Sequence, residues 1–257
     1  RFPTATFTLQ PSPTPPLITE QTLLFKCFPS WLAPTPASPA EVRTTITNRY
    51  PSPDQKYYVG DAYVFDLWND RCTRLGWMKW HIFNGWTSDS RYAVFSPYDQ
   101  YGITFTMVFD TNIWQWVDID DKTRSTRCDM LTGCKRQNTR AIAPHTSRLA
   151  LESYTLVDLN SHTYITVTPP LAANEQVIRA VWSADESRLA WLVCQYGAAN
   201  KNQLAVYLTS GDGMQGRQIK VLAASCSSSQ PSKPSLTWAA DGRAILVDTG
   251  EVQYTVP

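Results

Sequence analysis

Apolar and polar residues alternate along Ile103-Thr104-Phe105-Thr106-Met107 and again along Tyr164-Ile165-Thr166-Val167-Thr168. A period of two puts successive side chains on opposite faces of a strand, so both segments are predicted to be β. No stretch sustains a period of 3.6, and helix is expected to be rare. Short apolar pairs closed by an acid recur as Val64-Phe65-Asp66-Leu67, Val108-Phe109-Asp110-Thr111 and Leu156-Val157-Asp158-Leu159. Further apolar strands are predicted at Leu204-Ala205-Val206-Tyr207-Leu208, before the turn Ser210-Gly211-Asp212-Gly213, and at Val252-Gln253-Tyr254-Thr255-Val256.

A second pattern, a polar turn running into an apolar strand, occurs five times. It reads Ser52-Pro53-Asp54-Gln55-Lys56-Tyr57-Tyr58-Val59, then Trp86-Thr87-Ser88-Asp89-Ser90-Arg91-Tyr92-Ala93-Val94-Phe95. The third copy, Ala143-Pro144-His145-Thr146-Ser147-Arg148-Leu149-Ala150-Leu151, has His145 where the others have Asp. Trp182-Ser183-Ala184-Asp185-Glu186-Ser187-Arg188-Leu189-Ala190-Trp191 and Trp238-Ala239-Ala240-Asp241-Gly242-Arg243-Ala244-Ile245-Leu246-Val247 complete the set. Asp54, Asp89, Asp185 and Asp241 are assigned to blade turns, because a short carboxylate bonds the amides of its own turn. Gly242 supplies a residue able to take positive φ. Such internal repetition marks a stack of supersecondary units that bury their faces on one another.

The Trp-Ser-x-Asp turn with its Arg and apolar strand, followed by apolar-apolar-Asp-apolar, resembles the blades of WD-repeat and TolB-like β-propellers. The likeness runs from about Arg43 to Pro257. It implies an all-β propeller of four-stranded antiparallel blades, five by the count of turns, with a six-bladed ring as the rival. Residues 1–16 form a linker in this reading and 17–257 the propeller. Leu23-Leu24-Phe25-Lys26-Cys27 is expected to close the ring as an outer strand of the last blade. Trp86, Trp182 and Trp238 are expected to fill the wedges between blades.

Composition narrows the setting. With 23 basic and 22 acidic side chains the net charge is +1 and no basic stripe occurs, so nucleic acid is not expected as a partner. The longest apolar runs are too short to cross a bilayer as a helix. Thr4–Pro16 is a Pro/Thr/Ser tract of the kind that makes a stiff spacer. Six cysteines are present, an even number: Cys27, Cys72, Cys128, Cys134, Cys194 and Cys226. Fifteen connectivities are open to six cysteines. Cys128 with Cys134 would close a hairpin, Cys194 with Cys226 lie in one repeat, and Cys27 with Cys72 remain. Tract and cysteines together lead to the expectation of an extracellular or cell-envelope protein. Arg1 rather than Met opens the sequence, so an upstream segment is expected, a signal peptide or a tether to a membrane.

Candidate chemistry is sparse. The three histidines, 81, 145 and 162, have no helical or hairpin partner spacing, and no Cys-x-x-Cys occurs, so neither a metal nor a cofactor is expected. A Gly-x-Ser-x-Gly elbow is absent. Asp118-x-Asp120-Asp121 lacks the Gly and distal Glu of a calcium loop and is assigned to an exposed hairpin beside Lys122 and Arg124. Aromatic density is the remaining signal. Of ten Trp, six crowd between Trp68 and Trp116, and Trp77, Trp80, Trp114 and Trp116 are the candidates for a ligand-facing surface. The expected function is a non-catalytic, monomeric scaffold that presents loops to a protein or glycan partner. The alternative is a carbohydrate-binding or sialidase-type glycosidase propeller that uses the clustered Trp and a carboxylate.

Overall fold

The computed structural model describes residues 21–28, 40–46, 50–60, 63–74, 81–97, 106–117, 139–197, 202–226 and 234–257. Thr4–Pro16, Trp77, Trp80, Asp118–Asp121, Cys128 and Cys134 lie outside them. Among the described residues there are twenty strands and no helix. In chain order they form five sheets. The first sheet joins β3 (Tyr57–Gly60), β4 (Tyr63–Asp66) and β5 (Arg71–Arg74) to β1 (Gln21–Phe28) and β2 (Ala40–Ile46). The second is β6 (His81–Trp86), β7 (Tyr92–Pro97), β8 (Met107–Asp110) and β9 (Gln115–Val117). The third is β10 (Thr139–Ile142), β11 (Arg148–Leu151), β12 (Thr155–Asp158) and β13 (Thr163–Thr166). The fourth is β14 (Glu175–Trp182), β15 (Arg188–Gln195), β16 (Gln203–Ser210) and β17 (Arg217–Leu222). The fifth is β18 (Ser235–Trp238), β19 (Ile245–Asp248) and β20 (Gln253–Val256). Sheets two to five are antiparallel meanders, the blade arrangement of a propeller.

Each sheet packs on the next through a strand that is apolar on both faces. In β15, Leu189, Trp191 and Val193 enter the core shared with the third sheet. The intervening Ala190, Leu192 and Cys194 enter the core shared with the fifth. β7 divides the same way, Tyr92 and Val94 toward the third sheet, Ala93 and Phe95 toward the first. A strand buried on both faces therefore reads as an unbroken apolar run, Leu-Ala-Trp-Leu-Val-Cys, rather than as an alternation.

The turns repeat atom by atom. In all five, the amide of the first residue donates to the carbonyl five residues on, as Ser52 to Tyr57, Thr87 to Tyr92, Ala143 to Arg148, Ser183 to Arg188 and Ala239 to Ala244. In four, an Asp accepts from the amide two residues later, as Asp54 from Lys56, Asp89 from Arg91, Asp185 from Ser187 and Asp241 from Arg243. The residue after that Asp has positive φ: Gln55 at 60°, Ser90 at 62°, Glu186 at 57° and Gly242 at 67°. Only the last is Gly, so the hydrogen bonds of the Asp offset left-handed backbone in the other three. Three bonds from Ser183 and Ser187 hold the exposed Asp185 carboxyl down at about 2.

Successive turns are latched to one another. Asp54 N–H donates to Ser90 Oγ at 3.0 Å, and Ser147 Oγ donates to Asp89 at 3.0 Å. Arg188 Nη2 reaches the Gly242 carbonyl at 2.5 Å. The third turn, without an Asp, borrows its acceptor. Glu186 of the fourth turn accepts from the amides of His145 and Thr146 and from Thr146 Oγ1. The arginines add a second bridge: Arg91 pairs with Asp110 in its own sheet at 2.9 Å and gives Nη1 to Asn160 of the next. Arg148 lies 3.6 Å from Asp158 and gives Nη1 to the Gly211 carbonyl of the fourth sheet. Gly211 has no room for a side chain, since a Cβ there would stand 1.9 Å from the Glu186 carbonyl oxygen.

Two features differ from the sequence-based expectation. β1, which contains Leu23–Cys27, is a strand but does not join the last sheet. It runs parallel to β5 of the first, with Lys26 opposite Arg71, Cys27 opposite Cys72 and Phe28 opposite Thr73. Proximity explains this: β1 forms a hairpin with β2, and only residues 47–56 separate β2 from β3, so pairing with the next sheet closes the shorter loop. The fifth sheet has three strands among the described residues, and its far face is polar except for the half-buried Leu246. Ser235, Thr237, Asp248, Gln253 and Thr255 are exposed there.

Cys194 and Cys226 form a disulfide inside the core between the fourth and fifth sheets. Cys72 is also disulfide-bonded, and the β1–β5 register sets Cys27 across from it. The Cys194–Cys226 bridge spans 32 residues of sequence. In a chain-entropy account it contributes about 3–4 kcal/mol. The double variant Cys194→Ala/Cys226→Ala is expected to lose about that much stability in urea unfolding, without change in far-UV circular dichroism. Glu186→Ala is expected to cost about 1–3 kcal/mol because three donors of the third turn lose their acceptor. Asp241→Ala, which frees one amide, should cost less; the same urea midpoints check the order.

Candidate functional site

A step between neighbouring sheets creates the cleft. Each strand of the third sheet has four residues, whereas β14, β15 and β16 have eight. At about 3.3 Å per residue the fourth sheet outruns the third by roughly 13 Å. The space over the shorter sheet is a cleft of about 580 Å³. Its floor is Glu152, Ser153 and Tyr154 of the β11–β12 turn; Pro170–Ala173 form one wall, and Glu175, Gln176 and Tyr196 the other.

A hydrogen-bond network fixes those walls. Glu152 is buried, its Oε1 accepting from Gln176 Nε2 at 2.5 Å and its Oε2 facing Arg140 Nη2 at 2.9 Å. Gln176 Oε1 in turn accepts from the Tyr196 hydroxyl at 2.7 Å. Glu175 Oε1 accepts from the Tyr207 hydroxyl and from Gln195 Nε2, both at 2.6 Å, while Oε2 takes the Ala172 amide at 2.8 Å. Asn174 and Tyr196 exchange two further bonds, which tie the linking segment to the end of β15. Burial pushes the Glu175 carboxyl up, but the bonds from Tyr207, Ala172 and Gln195 outweigh it and hold the group below its ordinary value. Tyr207 moves the other way, to about 12, through burial and then its bond to Glu175. Both named carboxylates are therefore occupied with internal donors, and the 44% exposed Tyr196 ring stands at the rim.

Of the aromatic residues expected at a ligand surface, Trp114 and Trp116 are among the described residues and lie away from this cleft. Trp114 and Trp116 are half-buried and both pack on Phe109, 5.0 and 5.3 Å between centroids, against the core between the first and second sheets. Arg71 covers the Trp114 ring at 4.2 Å. Trp86 stacks on Tyr57 and donates Nε1 to the Tyr50 carbonyl; Trp182 is buried with the third-sheet side chains Ala143 and Leu156; Trp238 donates Nε1 to the Val181 carbonyl. All three stand between neighbouring sheets. Trp68 alone among the described indoles is widely exposed, at 72%, with Lys56 Nζ 5.0 Å above it. Residue types had singled out none of Glu152, Glu175, Gln176 or Tyr196. The legible signal was length: the unbroken run of β15 is longer than any in the third sheet.

Among the described residues no three His, Cys, Asp or Glu side chains stand together as a metal site, and no helix is long and apolar enough to cross a membrane. Glu175 supplies a titration test. A carboxyl held below its ordinary value contributes stability that is present above that value and lost as pH falls through the folded one. Tyr207→Phe removes the foremost hydrogen bond that lowers it. Glu175 is then expected to titrate at higher pH by carbon-detected NMR, and acid unfolding is expected to begin at higher pH.

No protein-family model matches the sequence, and no curated protein sequence matches it. Solved structures do. A protein described as TolB from Agrobacterium tumefaciens is 13% identical with a TM-score of 0.43, the match covering 72% of this chain and 71% of that one. An oligogalacturonate lyase from Vibrio parahaemolyticus is 12% identical with a TM-score of 0.47, over 80% of this chain and 63% of that one. The β-propeller domain of the Trilobed protease from Pyrococcus furiosus is 12% identical with a TM-score of 0.39, over 88% and 63%. This chain thus spans less than two thirds of the latter two. The propeller-type arrangement itself rests on the four-stranded meanders and the shared cores between them.

Proposed function

We propose that the chain is a non-catalytic, monomeric propeller scaffold with five blades, one for each sheet, that binds a segment of a protein partner in the cleft over the third blade. In this reading residues 1–16 are a linker and 17–257 the domain. The observation that carries the reading is the state of Glu152 and Glu175. Acid–base catalysis uses a carboxyl free to exchange a proton with substrate, whereas these two hold the cleft in shape. What the cleft offers a ligand is Ser153, the apolar side chains of its wall and the Tyr196 ring. A rigid aromatic at the rim of a pre-shaped cleft suits peptide recognition, since little entropy is lost on ordering it. Export from the cytoplasm is supported by the disulfides of Cys72, Cys194 and Cys226, which cytosolic thiol pools disfavour.

The test pairs a pull-down from the native cell envelope with a glycan array, for the native chain and for Tyr196→Ala. Recovery of a protein partner whose affinity falls about tenfold in Tyr196→Ala is expected, the loss of one aromatic anchor. Saturable glycan binding without any recovered protein would sink the reading in favour of a carbohydrate module. So would a protein partner indifferent to Tyr196.

A further inference from the structure

The first strands of the third and fourth sheets both carry Arg-Ala followed by a β-branched residue, Arg140-Ala141-Ile142 and Arg179-Ala180-Val181. β10 and β14 lie side by side. Both strands bulge here: the β10 ladder skips Arg140 between Thr139 and Ala141, and the β14 ladder skips Ile178 just before Arg179. A bulge takes a residue out of pairing and re-aims the side chains beside it. Measured on the second strand of each sheet, Arg140 falls between the partners of Ala150 and Leu151, while Arg179 stands opposite Leu192. Leu149 and Leu189 are equivalent, so the two arginines are offset along the strands by less than two residues, roughly 5 Å.

Among the described residues charge is unbalanced at this place. Arg140 gives Nη2 to Glu152, but its Nε is buried and has no acceptor among the described residues. Arg179 is half-buried, gives Nε to the Pro234 carbonyl of the fifth sheet, and makes no ion pair among the described residues. Among the described residues Glu152 is the carboxylate that pairs with Arg140, and Gln176 already takes its other oxygen. Burial first, and then the positive charge of Arg140, push the Arg179 pKa down, so the two cations repel. A partly buried cation without a counter-ion is costly, and an entering anion relieves that cost.

We propose that Arg140 and Arg179 form a binding site for an oxyanion, the carboxylate or phosphate group of a ligand, between the first strands of the third and fourth sheets. Guanidinium suits this ligand because its planar donor fork matches two oxygens of either group. Of the five donors on each guanidinium, Arg140 spends one on Glu152 and Arg179 one on Pro234. Glu152 links the site to the cleft floor, so the anion would lie beside whatever the cleft holds. The site itself rests on the two arginines and does not depend on the cleft binding a protein.

Proton–nitrogen NMR of the arginine side chains tests it on the full chain. Inorganic phosphate and N-acetylglutamate amide are titrated separately, with sodium chloride at matched ionic strength as the baseline. Saturable shifts of the Arg140 and Arg179 Nε–H signals are expected, with a dissociation constant on the order of 1 mM for two charge-assisted contacts. Saturation by phosphate alone, or by the glutamate amide alone, identifies the group; either supports the site. Arg179→Gln leaves Glu152 paired with Arg140, so the fold should be kept, and binding should weaken at least tenfold. Arg243→Gln, at the exposed fifth turn, should bind as the native chain does. Shifts that rise linearly and match chloride for both probes would overturn the proposal, as would saturable binding unchanged in Arg179→Gln. Neither result bears on the envelope pull-down, which reads the cleft through Tyr196.

Discussion

The structure depends on one constraint: a sheet in the middle of the stack must bury both of its faces. Leu189, Trp191 and Val193 serve one core while Ala190, Leu192 and Cys194 serve the next, all from a single strand. Removing the third or fifth sheet would leave half of β15 in water. At about 25 cal/mol per Å² of apolar surface, no single sheet recovers that loss alone. Cooperation between neighbours is therefore built into the residue order of the central strands. The end of the stack shows the converse. In the fifth sheet Leu236, Ile245, Val247 and Val256 face inward while Thr237, Asp248, Thr255 and the half-buried Leu246 face outward, close to the alternation of a sheet that the described residues cover on one side.

Hydrogen bonds then set how one sheet sits on the next. Apolar burial has no direction and would tolerate sliding. The chain of latches from Asp54 through Ser90, Asp89, Ser147, Glu186 and Arg188 to Gly242 ties each turn to its neighbour. His145 at the acid's place in the third turn does not break the chain, because Glu186 reaches across from the following turn. A degenerate repeat is stable when a neighbouring side chain satisfies the amides it leaves behind.

Both candidate binding features arise where the repetition is imperfect. Four-residue strands beside eight-residue ones leave the cleft, and the bulges at Arg140 and Ile178 interrupt the ladders beside the two arginines. Glu152 belongs to both, lining the cleft and pairing with Arg140. A regular propeller would offer neither. Departures from the repeat are thus where a fold of this kind gains clefts and charged clusters, on backbone the regular parts hold in place.

The amino-acid order by itself determined the all-β class, the five turns with an Asp in four of them, and the apolar strands that follow; it placed Cys194 and Cys226 in one repeat, but the structure chose that pairing among the fifteen. These are local matters, decided by turn chemistry and by a two-residue period. Tertiary structure alone decided the rest. β1 joined the first sheet rather than the last, because strand partners are chosen by distance in space and by loop closure. Trp114 and Trp116 are half-buried against Phe109, a placement the sequence does not give, since an indole is equally at home stacked on Phe109 or on a ligand. Arg140, Glu152, Gln176 and Arg179 became a cluster only when strands far apart in sequence were laid side by side, and charge balance between them has no trace in any single segment.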